Sequence, residues 1–172
     1  MDSELRDFLA GALDAEFTAF LAALDRVPAA QFSQPSAHGH SAAWHALHIA
    51  DWTRATIRPG LGDPPPTLTY GHLGSEAEAW AQAVTGPTVA HEDDPKDTVL
   101  LAVSAVLREA VPTVRAAPAE RLTPDATFQV LHRLRPVRGS LTYHLRHTAY
   151  HRGQVAHLLK EFVHDPVPSL PA

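Results

Sequence analysis

The sequence predicts an all-α protein, a four-helix bundle with a long crossover between its second and third helices. Three observations lead there. Four stretches repeat their apolar residues at three- and four-residue steps, as helices that bury one face do. The second and third stretches are separated by residues 59–94, a 36-residue connection rich in Pro and Gly. Antiparallel neighbours need only a few linking residues, whereas a connection this long can return along a helix of about 18 residues, roughly 27 Å. Helices two and three can then run parallel, in an up-down-down-up order that sets helices two and four antiparallel. Finally, 172 residues with 45% hydrophobic and 19% charged composition suit one globular core.

The first helix spans Ser3 to Val27, with Leu5, Phe8, Leu9, Leu13, Phe17, Phe20, Leu21, Leu24 and Val27 on its apolar side. The second runs from about Ser41 to Ile57, carries Trp44, Leu47, Ile49 and Trp52, and is stopped by Pro59 and Gly60. Within the crossover only Ser75 to Val84 reads as helical, around Trp80, and Pro64 to Pro66 makes a stiff loop. The third helix opens with Asp94 as cap, Pro95 in the first turn and Asp97 favouring the N-terminus. Val99, Val103, Val106, Leu107, Ala110 and Val114 form its buried face, and Pro112 should kink or shorten it. The last helix starts between Pro136 and Ser140 and ends near Phe162. No strand is required. Residues 1–164 then form a single domain and residues 165–172 a Pro-rich C-terminal tail.

Composition excludes several functions. The chain has no Cys, so disulfides, thiolate ligands and Cys nucleophiles are absent, and thiol chemistry requires an external thiol. A net charge of -5 opposes general nucleic-acid binding and polybasic membrane attachment. The N-terminus, MDSELRDF, lacks the basic and apolar regions of a signal peptide, and no apolar run approaches the roughly 20 residues of a membrane span. A cytoplasmic location is the expectation. Residues 115–152 hold seven Arg against two acids, a cluster suited to an anionic small molecule or to plain solvation.

Twelve His are the compositional anomaly. His147 and His151, four apart, stack on one helical face, where two imidazoles can converge on one ion. His144 competes, since it lies one turn from His147, but its seven-residue separation from His151 prevents all three from sharing an ion comfortably. Val155, Leu158 and Phe162 continue a core stripe compatible with an inward His147/His151 pair. On helix two, His48 lines up with Trp44, Trp52 and Ala55 on the buried face, with His45 as its competitor. The segment HTAYH lacks the Glu of the zinc-protease HExxH helix.

The segments HALHIADWTR and, about a hundred residues later, HTAYHRGQVAHLL resemble the DinB/YfiT-like superfamily. The resemblance spans the first helix through Phe162. It implies an up-down-down-up bundle, frequent homodimers and a metal triad falling on His48, His147 and His151. Members include thiol-dependent S-transferases, a mycothiol-dependent isomerase domain and metal-dependent hydrolases. Three imidazoles leave an open position on a divalent ion such as Zn, Ni, Co, Mn or Fe. Such an ion would activate a low-molecular-weight thiol, bacillithiol or mycothiol, toward a small electrophile, or a hydroxide for hydrolysis. A non-catalytic metal-binding or stress-response bundle is the competing class. Among neighbouring residues, Arg152 is the candidate for holding a carboxylate of the thiol or substrate. Asp51 is a candidate base or ligand-supporting group, although a solvent-facing charge is the commoner fate at such a position. Gly153 would permit close helix packing, Trp44 and Trp52 would fill core, and Ser140 sits in no nucleophile elbow.

Overall fold

The computed structural model describes residues 2–36, 39–62 and 67–164. The expected Pro-rich tail, 165–172, and the Pro64–Pro66 loop lie outside them. Helices α1 (Asp2–Asp25), α2 (Ala42–Leu61), α4 (Lys96–Arg115) and α5 (Val137–His164) form the bundle, and a single turn, α3 (Ala79–Gln82), carries Trp80 in the crossover. The protein is thus the all-α bundle that the periodicity predicts.

Most of the apolar stripe of α1 is interior: Leu9, Leu13, Phe17, Phe20 and Leu24 are buried. Phe8 is the exception at 68% exposure, because a residue adjacent to Leu9 points about 100° away from it around the helix. In α2 the Ser41 side chain caps the first turn by accepting from the Trp44 N–H at 2.9 Å. Pro59 does not stop this helix but lies in its final turns, where the missing N–H removes one bond close to an end that frays anyway. Pro112 is likewise carried inside α4. Asp94 does not cap α4; Pro95 occupies that position, and Asp94 accepts from the His91 N–H at 2.8 Å in the preceding loop.

One element was not foreseen. Residues Thr127–Val130 (β1) and Arg133–Pro136 (β2) pair antiparallel, with Val130 opposite Arg133 and a two-residue turn between them. Leu131 adopts φ 53 in that turn, a conformation usually marked by Gly or Asn. The hairpin buries Phe128 and Val130 against the bundle and leads directly into α5.

The principal helix packing is α1 on α4 and α5, and α2 on α4 and α5. Lys96 at the start of α4 donates to the Val27 carbonyl beyond the end of α1, while Arg6 reaches the Ala117 carbonyl past the end of α4, so these helices are antiparallel. Across the α2–α5 seam, His45 meets His151, His48 meets His147 and Thr53 meets His144, which makes that pair antiparallel too. Among the described residues no helix is long and apolar enough to cross a membrane.

Candidate metal centre

Histidines enter the α2–α5 seam from both helices. His48 and His151 are 5% and 6% exposed, and His147 is half-buried. The Nε2 atom of His147 lies 3.1 Å from Nε2 of His48 and 3.0 Å from Nε2 of His151. Ligand atoms of these three residues all lie within 4.8 Å of one another, so the triad could hold a metal ion. Neighbouring nitrogens each about 2.1 Å from one ion sit about 3.0–3.4 Å apart, so the donor set has the right spacing.

Tautomers follow from the second nitrogens. His48 Nδ1 is 2.6 Å from the His72 carbonyl, which can only accept, so the His48 proton sits on Nδ1 and the Nε2 lone pair faces the triad. His151 Nδ1 lies 2.8 Å from His45 Nδ1, one of which donates to the other; with the proton on His151, its Nε2 is likewise free to ligate. His147 Nδ1 is buried with no partner. Burial holds these imidazoles neutral: the pKa of His147 falls to about 4 for that reason. Burial, reinforced by His147 and His45, lowers that of His151 to about 3. Burial and then the two other triad members hold His48 far below the ordinary histidine range.

The competitors have other work. His45 is buried behind His151 and burial, followed by His40, lowers its pKa to about 4. His144 points to Thr53 instead: the Thr53 hydroxyl donates to the Ile49 carbonyl at 2.7 Å and accepts from His144 Nε2 at 2.8 Å. It is a neutral core histidine, its pKa lowered to about 3 by burial and then by His147.

Asp51 is fully buried, not solvent-facing. Its Oδ2 accepts from the backbone N–H of Gly71 at 2.8 Å and of His72 at 3.0 Å. Its Oδ1 accepts from Arg54 at 2.8 Å and from the Thr88 hydroxyl. One residue along α2, the Trp52 indole donates to the Leu73 carbonyl at 3.1 Å. The crossover is therefore pinned to α2 one turn after His48, and the pinned strand presents the carbonyl that orients His48. Asp51 holds the loop that orients His48; with its oxygens so engaged it is no free base. Gly74 closes the same loop at φ +75, and a Cβ there would meet His48 Cε1 at 3.1 Å. Gly74→Ala should therefore loosen the His48 ring and lower metal affinity, measured by competition with a chromogenic chelator.

A cavity of about 540 Å³ opens on the triad from one side and is lined by Trp44, His45, His48, Tyr150, His151 and Gln154 among others. Trp44 is thus a cavity wall, stacked between His40 at 3.6 Å and His48 at 4.4 Å, rather than pure core. Arg152 does not line this cavity; its guanidinium binds Glu16 through two bonds, at 2.6 and 3.3 Å. Gly153 faces solvent, and a Cβ there would meet nothing within 4 Å, so it does not serve helix packing.

No curated protein and no solved structure matches the chain. A family model does: that of the DinB superfamily matches residues 12–155, which include all three triad histidines. By that match, over most of its length, the chain belongs to the DinB superfamily.

Proposed function

We propose that His48, His147 and His151 hold one divalent metal ion and that the protein uses it to transfer a low-molecular-weight thiol to an electrophilic small molecule. The observation that carries this reading is the convergence of three neutral Nε2 atoms beside the cavity. A divalent ion bound there would supply positive charge that favours thiolate over thiol at an open coordination position. His48 and His151, which line the cavity, present the bound ion to it, while His147 completes the set from behind.

Transfer is favoured over hydrolysis because a thiol, with a free pKa of about 8.5, ionises on a metal more readily than water does at about 15.7, and so depends less on a nearby carboxylate to take its proton. Among the described residues lining the cavity the one acid is Glu161, and it lies 3.2 Å from His157. Asp51 is committed to the crossover loop. A thiol ionised by the metal needs no such base. Those lining residues also include no Lys or Arg, while Ser36, Tyr150, Gln154 and the imidazoles offer neutral hydrogen-bonding groups. Such a wall suits an uncharged, hydroxyl-rich thiol such as mycothiol better than one bearing several carboxylates. With Arg152 paired to Glu16, its anchoring of a thiol carboxylate would require that ion pair to open.

Metal analysis of purified protein and of single Ala variants tests the centre. His48→Ala, His147→Ala and His151→Ala should each weaken metal binding by more than about 100-fold. His45→Ala should cost about tenfold through His151, and His144→Ala little. Full occupancy in the three triad variants would overturn the assignment. Metal-loaded protein with no rate above background across a panel of thiols and electrophiles would overturn the transferase reading alone.

A further inference from the structure

A second, smaller cavity of about 50 Å³ lies on the other side of the seam, lined by Trp52, Thr56, Arg135, Ser140, Tyr143 and His147 among others. It has room for about two water molecules, and thus for one carboxylate group. Its polar lining holds groups left without partners. Ser140 is 7% exposed, and its Oγ is buried with no hydrogen-bond partner. His147 Nδ1, the nitrogen turned away from the triad, is also buried and unpartnered. Arg135 is half-buried and, among the described residues, its guanidinium takes part in no hydrogen bond or ion pair, unlike those of Arg54, Arg58 and Arg152. Among the described residues no carboxylate lines the cavity.

Backbone electrostatics act in the same direction. Ser140 stands in the first turn of the 28-residue helix α5, whose opening N–H groups have no partners within the helix. No acidic residue occupies that turn. Guanidinium and hydroxyl, with the His147 Nδ1–H when Nε2 ligates an ion, thus line one small space near the positive end of α5, where the Val137 N–H is already taken by the Ala126 carbonyl.

We propose that this cavity, between the first turn of α5, strand β2 and helix α2, is a binding site for a carboxylate-sized anion held by Arg135, Ser140 and His147. The site goes beyond the metal reading and does not depend on it. It gives a specific role to one member of the arginine-rich stretch, in place of Arg152. An occupant accepting from His147 Nδ1 would also supply the third triad histidine with what His48 has in the His72 carbonyl and His151 has in His45.

Acetate is the probe, titrated into metal-free and zinc-loaded protein while NMR follows the Arg135 side chain and the amides of residues 138–140. Saturable shifts are expected in both forms, stronger with zinc because ligation at Nε2 leaves the His147 proton on Nδ1. Arg135→Gln and Ser140→Val should each weaken acetate binding by about tenfold or more without changing zinc occupancy. Arg135 is exposed enough for its replacement to fold, so a loss of fold in Ser140→Val would leave the Arg135 variant decisive. Sulfate, a larger tetrahedral dianion, should not compete. Three results would overturn the site: undiminished acetate binding in Arg135→Gln, equal shifts with sulfate, or a response confined to zinc-loaded protein that ignores both substitutions.

Discussion

Asp51→Ala should be the most damaging single substitution outside the triad. It is expected to lower stability by about 3–5 kcal/mol and metal affinity by about 10- to 100-fold. The stability loss follows from what would be stranded. The Arg54 guanidinium and the N–H groups of Gly71 and His72 would face a cavity in place of a carboxylate that is itself fully buried. The affinity loss follows from the next link, because the His72 carbonyl that fixes the His48 tautomer is held by that same carboxylate. In a chain of this length the first effect should appear as a fall in Tm of about 10 °C. Chemical denaturation and metal competition on the same protein separate the two effects. Lost stability with unchanged metal affinity would show that the loop does not set His48.

Acid should unfold the metal-free protein well above the pH at which carboxylates usually do so. Burial lowers the pKa of His45 and His147 to about 4 and of His144 and His151 to about 3, and lowers that of His48 further. Below about pH 6.5 the unfolded chain takes up protons at these positions and the folded chain does not. The stability these groups carry is therefore present above pH 6.5 and drains as the pH falls toward 4. Each imidazole costs up to about 1.4 kcal/mol per pH unit in that window. At pH 5 the five act in the same direction, so together they would take a large share of the stability of an ordinary domain. Tryptophan fluorescence should show a cooperative transition near pH 5, displaced to lower pH by bound metal. In the folded state protons and metal scarcely compete above pH 5, so release on acidification should coincide with unfolding instead of preceding it. A fold intact at pH 4 without metal would contradict the buried, neutral cluster.

The four long helices and the His147/His151 pair were legible because both rest on spacing, whereas His48 joined that pair through the family resemblance. Apolar residues at helical intervals locate the helices, and a four-residue separation puts His147 and His151 on one face. Spacing alone leaves His48 and His45 as competitors on α2, and both are buried. In the fold the crossover offers its carbonyl to His48, a contact no spacing announces. Asp51 was misjudged for the same reason: its partners lie 20 and 21 residues away in a loop without periodicity. The hairpin escaped notice because Leu131 takes a turn conformation that its side chain does not advertise. Arg152 was a natural choice by proximity to His151, but sequence could not show Glu16, 136 residues distant, closing on it. Arg135 carried no local signal; its interest arises from being left over.

If the triad holds metal as proposed, its distribution along the chain would set an order of loading. His147 and His151 share one turn of α5, so a nascent or partly folded chain already offers a two-nitrogen clasp, while His48 arrives only when α2 docks, 99 residues away in sequence. Under the proposed metal reading, an ion caught early would be held loosely and could still exchange. Tight retention would begin only with the native α2–α5 seam, so metal content would read out correctly assembled molecules and leave misfolded ones to give their ion back.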